Sequence, residues 1–202
     1  MAEGPKQPLR AALIAARRAL PVDDRLCRSR SIAVRLVELP AFARARTIGL
    51  YAPLGAEVDT AEVARLAAAA GKRIAFPRIV AGERALAYAA CAIDALVVGA
   101  LGTREPPPSA AAVPLSDLDL AVVPGVAFDG RGRRLGRGRG HYDATLAALP
   151  PHTARIGLAF ELQIVAEVPE EPHDAPLDAV VTEARVLFPL TRSPGCGIPS
   201  QS

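Results

Sequence analysis

The chain has 202 residues, of which 50% are hydrophobic, and this length suits one domain with a substantial core. No apolar run approaches the roughly 20 residues that cross a bilayer, and the N-terminus lacks a secretory signal pattern, so we expect a cytoplasmic protein without a membrane partner. The net charge of +3 does not by itself indicate a nucleic-acid partner, and the spacing of the three cysteines, Cys27, Cys91 and Cys196, indicates neither disulfides nor a zinc site.

The N-terminal half contains two helical patterns followed by an alternation of strand and helix. Apolar residues recur at helical spacing from Leu9 to Leu20 and from Asp23 to Leu39, which predicts two helices. The apolar run from Thr47 to Ala52 predicts a buried strand, 60–70 predicts a helix, and Lys72 to Phe76 predicts a second strand. This order is typical of a parallel βαβ unit.

The same alternation returns in the C-terminal half. A continuous apolar run predicts a strand from Leu118 to Val123, and a helix follows from His141 to Leu149. Arg155 to Phe160 and Ala179 to Thr182 predict two further strands of the core. The pattern therefore predicts an α/β protein whose sheet is partly parallel.

Two segments lack useful periodicity. Residues 101–113 contain three consecutive prolines and an alanine-rich stretch, so we expect an exposed connection there. The tail from 193 to 202 is similar, and we expect it to be flexible. The remaining chain, 1–192, is predicted to form a single three-layer α/β/α domain with a partly parallel central sheet.

A glycine- and arginine-rich segment lies between the strand ending at Val123 and the helix starting at His141. It begins PGVAFDGRGRR and continues LGRGRG, so glycines alternate with arginines just before the helix N-terminus. Glycine permits positive φ and close backbone approach, arginine offers charged donors, and a helix N-terminus attracts anions. The pattern predicts a polyphosphate-binding loop. The residues of the alternation are Gly136, Arg137, Gly138, Arg139 and Gly140.

This loop fits neither of the common nucleotide fingerprints, because it contains no GxxxxGK[ST] and no GxGxxG after a first strand. Two alternatives remain open on the loop alone: a solvated RG-type linker, and a basic loop that touches RNA without specificity. The apolar strand and helix on either side argue against a free, disordered segment.

The loop resembles the 5-formyltetrahydrofolate cyclo-ligase family, whose hallmark is a strand ending in PG, an FD pair and then G-x-RLG-x-G-x-GYYD. This chain reads PGVAFDGRGRRLGRGRGHYD there. KQPLR near the N-terminus, GAEVDT at 55–60, FPR at 76–78, GTREP at 102–106 and the stretch from His173 to Thr182 fall in family order, so the resemblance covers about residues 6–188. His141 stands where tyrosine is commoner, and Arg139 stands where lysine or glycine is common.

The resemblance implies an enzyme that uses ATP and Mg²⁺ to close 5-formyltetrahydrofolate into 5,10-methenyltetrahydrofolate, releasing ADP and phosphate. No protein nucleophile is implied, because the formyl oxygen attacks the γ-phosphate of ATP and N10 then closes the ring. The protein must align two substrates and neutralise charge on the transferring phosphoryl group. The expected partners are these two substrates, with no nucleic acid and no membrane, and we expect a monomer.

The resemblance also carries site residues over to this sequence. It implies that ATP is bound by Lys6, Arg10, Arg134, Leu135, Gly136, Arg137, Gly138, Arg139, Gly140, His141 and Tyr142, and that Arg137 and Arg139 are the catalytic cations. It implies that the folate contacts Ala52, Glu57, Arg137, Gly138, Arg139, Gly140 and His141. It makes Asp143 and Asp174 the Mg²⁺ ligands, a role that two carboxylates with ATP oxygens and water suit.

Two rivals remain at this point. A divergent family member could keep the ATP loop for another formylated or carboxylated substrate, and His141 is where such a change would act. An RNA-binding module would use the same loop with an affinity that falls steeply with salt.

Overall fold

The computed structural model describes residues 6–99, 102–169 and 175–189. Asp174, Cys196 and the predicted tail from 193 to 202 therefore lie outside the described residues. The α-helices are α1 (Lys6–Ala19), α2 (Val22–Val37), α3 (Pro40–Arg44), α4 (Ala61–Ala69) and α5 (His141–Ala148). Among the helices of the described ranges, none is long and apolar enough to cross a membrane.

The strands fall into one large sheet and two small ones. They are β1 (Thr47–Gly49), β2 (Arg73–Arg78), β3 (Ala87–Ala90), β4 (Val97–Val98), β5 (Arg104–Glu105), β6 (Ala111–Val113), β7 (Leu120–Val123), β8 (Ala127–Asp129), β9 (Arg134–Leu135), β10 (Ala154–Leu158), β11 (Ile164–Val165), β12 (Ala179–Val181) and β13 (Val186–Leu187).

The main sheet has eight strands in the order β13-β12-β10-β7-β1-β2-β3-β6. Strands β12, β10, β7, β1 and β2 pair in parallel, whereas β13, β3 and β6 add antiparallel edges. The predicted partly parallel sheet is confirmed. Its central strand β7 is buried at all four positions, which explains the continuous apolar run in the sequence.

Helices cover both faces of this sheet and give the predicted three layers. On one face, Ile32 and Leu36 of α2 pack with Val63 of α4 against Ile48 and the other inward side chains of that face. On the other face, Leu146 of α5 packs in a second apolar cluster. Because each sheet face is apolar and needs a cover, this arrangement is the stable one for the pattern.

The structure changes the interpretation of two segments of the sequence. Residues 101–113 are not simply an exposed connection, because Ala111–Val113 pairs with Ala87–Ala90 at the sheet edge and Glu105 is buried. Alanine-rich strands lack the branched and aromatic residues that identify strands in a sequence. The glycine- and arginine-rich segment also contains a hairpin, in which β8 pairs with β9 and β11 adds a third strand.

Candidate functional site

A pocket of about 400 Å³ lies beyond the carboxyl ends of the neighbouring parallel strands β7, β1 and β2. In open α/β sheets this is the edge where ligands bind. The predicted site residues that line it are Ala52, Glu57, Arg134, Gly136, Arg137, Gly138, Arg139, Gly140, His141, Tyr142 and Asp143. Most of the predicted set therefore meets in one cavity.

The glycines of the loop provide the backbone geometry expected of an anion cradle. Gly138 and Gly140 have φ of 91° and 73°, values that L side chains rarely adopt, and Gly140 is the N-cap residue immediately before α5. At Gly136 a Cβ would lie 2.9 Å from Arg134 Nη1, so the end of the Arg134 side chain would have to shift. The loop and the first residues of α5 thus line the pocket together.

Arg10 holds this loop from the first helix. Its Nε donates a hydrogen bond to the Gly136 carbonyl at 3.0 Å, and its guanidinium lies within 4 Å of the position that a Cβ on Gly138 would take. Arg10 and Lys6 are one helical turn apart on α1, as the sequence indicated. Neither residue is among those that line the pocket, so Arg10 reaches the site only through its contacts with the loop.

Arg134 is a buried cation that links the loop to both neighbouring elements. Its Nη1 donates to the Pro124 carbonyl at 3.2 Å, its Nη2 donates to Asp143 Oδ1, and its guanidinium lies 5.7 Å from the centre of the Tyr142 ring. The adjoining Leu135 side chain instead packs with Ala127 and Val168, away from the pocket. Burial raises the pKa of Tyr142 well above its ordinary value, so this phenol stays protonated.

Glu57 and Arg137 form an ion pair across the pocket wall. Arg137 Nε donates to Glu57 Oε1 at 2.9 Å, and Arg137 Nη2 donates to the Leu54 carbonyl at 3.0 Å. The other oxygen of Glu57 accepts from the Leu54 N–H at 2.9 Å. Glu57 is buried, while the Arg137 side chain is 38% exposed, so the guanidinium keeps an open side toward a ligand.

His141 closes the pocket on the side of residue 84. Its Nδ1 lies 3.0 Å from the Arg84 carbonyl oxygen, which can only accept, so Nδ1–H donates this hydrogen bond. The His141 carbonyl in turn accepts from the Thr145 hydroxyl, whose oxygen accepts from the Leu86 N–H. These contacts fix the first turn of α5.

Asp129, in the FD pair, organises the hairpin without touching the pocket. Its Oδ1 accepts from the backbone N–H groups of Arg131 and Arg133 at 2.9 and 3.1 Å. Its Oδ2 accepts from Arg133 Nε at 2.7 Å and from the Val168 N–H at 2.9 Å. The carboxylate is buried, and the arginines at 133 and 134 are buried with it, which is incompatible with a free RG-type linker.

Two residues at the candidate site were not predicted from the sequence. Arg17 is buried, donates to the Gly125 carbonyl at 3.1 Å and lies 4.0 Å from Glu57 Oε1. It continues the buried side of α1 four residues after Leu13, a signal that the sequence contains. Glu105 also lines the pocket and accepts from the Thr103 hydroxyl at 2.7 Å, although 101–113 carried no periodicity to indicate it.

The residues present fit a magnesium ion held largely by a substrate. No group of three or more His, Cys, Asp or Glu side chains gathers for a metal in residues 6–99, 102–169 and 175–189. Asp143 faces the pocket and uses Oδ1 for Arg134, which leaves hard oxygen capacity at Oδ2. Mg²⁺ often takes one or two carboxylates and completes its shell with phosphate and water. The second predicted ligand, Asp174, lies outside the described residues.

Comparison with known proteins gives one consistent result. Residues 2–183 match the model of the 5-formyltetrahydrofolate cyclo-ligase family. The 5-formyltetrahydrofolate cyclo-ligase of Escherichia coli K12 is 34% identical over 174 residues, covering 84% of this chain and 96% of the relative. The corresponding protein of Mycolicibacterium smegmatis is 30% identical over 191 residues, covering 92% and 97%.

Solved structures agree with these relatives. The NMR structure of Aquifex aeolicus 5,10-methenyltetrahydrofolate synthetase superposes with a TM-score of 0.80 at 30% identity, covering 93% of this chain and 94% of that one. A Mycoplasma pneumoniae 5,10-methenyltetrahydrofolate synthetase shares the fold with a TM-score of 0.73 at 22% identity, covering 89% and 99%. With the loop, the pocket and matches of this length, the chain belongs to the 5-formyltetrahydrofolate cyclo-ligase family.

Proposed function

We propose that this protein closes 5-formyltetrahydrofolate to 5,10-methenyltetrahydrofolate at the expense of ATP, in the pocket between the Gly136–Gly140 loop and Glu57. The observation that carries the proposal is the ion pair of Glu57 with Arg137. It connects a carboxylate on one wall to a guanidinium in the glycine loop at 2.9 Å, so a folate and a polyphosphate bound there would meet.

The nucleotide half of the site is the loop with the start of α5. Backbone N–H groups of Gly136 to Gly140 and the helix N-terminus suit phosphate oxygens, and Arg139 has an exposed side chain and no ion pair within the described chain. Lys6 and Arg10 would add positive charge from α1, and Arg134 and Tyr142 would form the floor. Leu135 would contribute through its backbone, since its side chain is buried elsewhere.

The folate half is the wall of Ala52 and Glu57. A buried carboxylate accepts hydrogen bonds from the ring N–H groups of a reduced pterin, and Ala52 leaves room beside it. The backbone of Gly138 to Gly140 and the His141 ring would border the formyl group. A histidine ring there offers a ring nitrogen where a tyrosine would offer a hydroxyl, so the hydrogen bonding beside the formyl group would differ.

The reaction needs positioned cations more than a nucleophile. The formyl oxygen attacks the γ-phosphorus and ADP leaves; N10 then attacks the formyl carbon, and the C–O bond breaks to release phosphate. Arg137 and Arg139 would neutralise the charge that develops on the transferring group. Magnesium, held by Asp143 and Asp174, would supply charge neutralisation on the ATP oxygens.

The loop arginines serve different purposes in this proposal. Arg137 is paired with Glu57 and partly exposed, so it can turn between the carboxylate and an entering phosphoryl group. Arg134 is 4% exposed and held by Pro124 and Asp143, so it acts from a fixed position. We therefore expect Arg137→Lys to lower kcat strongly, because lysine lacks the planar fork.

The deciding experiment mixes the protein with 5-formyltetrahydrofolate, ATP and Mg²⁺ and follows the methenyltetrahydrofolate absorbance, with each component omitted in turn. A rise that needs all three supports the proposal. Bound ATP with no rise would favour a divergent member that acts on another formylated or carboxylated substrate. We also infer a monomer that works in the cytoplasm without nucleic acid or membrane, and light scattering after gel filtration tests the first part.

A further inference from the structure

Arg17 is a buried cation to which the proposed reaction assigns no role. It lies in the last turn of α1, its side chain is 3% exposed, and its Nη1 donates a hydrogen bond to the Gly125 carbonyl at 3.1 Å. Its Nη2 lies 4.0 Å from Glu57 Oε1, and its Nε is buried without a hydrogen-bond partner in the described part of the chain. Burial lowers the pKa of Arg17, and the charge of Glu57 opposes that effect.

The packing of α1 does not by itself require a charge at position 17. Leu13, one helical turn earlier, packs into an apolar cluster. The Gly125 carbonyl also accepts from Gln163 Nε2 at 2.9 Å, so it would keep a hydrogen bond without Arg17. A buried guanidinium costs free energy unless a nearby charge compensates it, and the carboxylate that lies near Arg17 is that of Glu57.

Glu57 shares one oxygen between two arginines that differ in exposure. Arg137 Nε donates to Oε1 at 2.9 Å, and Arg17 Nη2 lies 4.0 Å from the same atom. The other oxygen accepts from the neutral backbone N–H of Leu54. The Arg137 side chain is 38% exposed and has room to turn away, whereas the enclosed Arg17 stays in place.

The proposed reaction takes Arg137 to the transferring phosphoryl group, and so takes its charge away from Glu57. A buried carboxylate that loses its cation is strongly destabilised, and this cost would hold Arg137 at Glu57. With Arg17 beside it, Glu57 keeps a compensating charge in both positions of Arg137. The second arginine thus lowers the cost of moving the first.

We propose that Arg17 is a positioning residue, which keeps the Glu57 carboxylate compensated while Arg137 moves from Glu57 to the phosphoryl group. The inference rests on the proposed function and adds to it a residue that touches neither substrate. Because Arg17 acts through its charge, a neutral side chain at this position should slow phosphoryl transfer without preventing either substrate from binding.

Steady-state kinetics of Arg17→Met and Arg17→Lys separate a role of the charge from a role in packing. Methionine suits the apolar side of α1 but removes the charge, so we expect kcat to fall at least about ten-fold while the KM values for 5-formyltetrahydrofolate and ATP stay within about three-fold. Lysine keeps the charge, and its kcat should stay within about three-fold of the unsubstituted protein. Arg30→Met removes an exposed arginine of α2 and is the matched control, with kcat unchanged. Equal losses in the methionine and lysine variants would overturn the inference.

A double-mutant cycle with Glu57→Gln tests whether Arg17 acts through this carboxylate. Once residue 57 is neutral, Arg137 can leave without exposing an uncompensated charge. Adding Arg17→Met to Glu57→Gln should therefore change kcat, measured at saturating substrates, less than about two-fold. A full ten-fold loss in the Glu57→Gln background would show that Arg17 acts independently of Glu57 and would refute the proposal.

A spectroscopic measurement needs no turnover and separates this inference from the proposed function. The ¹⁵N–¹H signal of Arg137 Nε, identified by its absence in Arg137→Lys, reports whether Arg137 stays at Glu57. On saturation with Mg²⁺ and β,γ-imido-ATP, we expect this signal to shift in the unsubstituted protein and in Arg17→Lys, and to stay in place in Arg17→Met. The same shift in all three proteins, or no shift in the unsubstituted one, contradicts the inference. If 5-formyltetrahydrofolate does not turn over, the proposed function fails while this measurement still decides the role of Arg17.

Discussion

Replacing Asp129 with alanine should destabilise the protein severely, although this residue does not line the pocket. Its carboxylate accepts hydrogen bonds from the N–H groups of Arg131, Arg133 and Val168 and from Arg133 Nε. Removing the Asp129 carboxylate leaves the Arg133 side chain, which is 10% exposed, without its buried partner. Breaking a buried pair from one side costs about 3–5 kcal/mol, a large share of the roughly 5–15 kcal/mol that holds a domain folded.

Urea unfolding monitored by circular dichroism measures this loss, and an unchanged m-value shows that the same two states are compared. Glu167→Ala is the matched control, because Glu167 pairs with the same Arg133 at 3.2 Å but is 70% exposed. We expect the control to cost no more than about 0.5 kcal/mol. A loss below about 1 kcal/mol for Asp129→Ala would refute the view that this carboxylate holds the hairpin of β8 and β9 together.

Three further substitutions test the site and its packing. Gly138→Ala forces a side chain onto a φ of 91° and should weaken ATP binding about ten-fold, read by calorimetry, with less than about 1.5 kcal/mol lost in stability. Glu57→Gln removes the charge that pairs with the loop and should raise the KM for 5-formyltetrahydrofolate at least ten-fold while the Kd for ATP stays within two-fold. Gly125→Ala places a Cβ 2.4 Å from Phe128 Cζ, and thermal unfolding should show a loss of about 1–3 kcal/mol.

The sequence predicted the parts of the fold in which the residue type alone indicates burial or backbone conformation. Leu120–Val123 is apolar at every position because parallel strands are buried on both faces, and Gly71, at φ 70°, ends the helix where expected. The strand Ala87–Ala90 and its partner Ala111–Val113 were missed because alanine fits helices, strands and loops alike.

The site shows the same contrast. The glycine loop was predictable because glycine adopts the positive φ of Gly138 and Gly140 far more readily than other residues do. Arg17 was missed despite its spacing from Leu13, since an arginine in a helix usually belongs to a solvated face and its contacts with Gly125 and Glu57 are tertiary. Sequence spacing could not show that Glu57 and Arg137, 80 residues apart, form the ion pair that joins the two halves of the pocket.

The central claim is that the loop brings the γ-phosphate of ATP to the formyl oxygen of the folate. The most direct measurement uses 5-formyltetrahydrofolate labelled with ¹⁸O in the formyl group and determines by mass spectrometry where the label goes after one turnover. Since the formyl oxygen attacks phosphorus and its bond to carbon then breaks, we expect each released phosphate to carry one ¹⁸O. Unlabelled phosphate alongside labelled water would contradict the account, because it would mean that ATP is cleaved by water and the formyl oxygen leaves by another route.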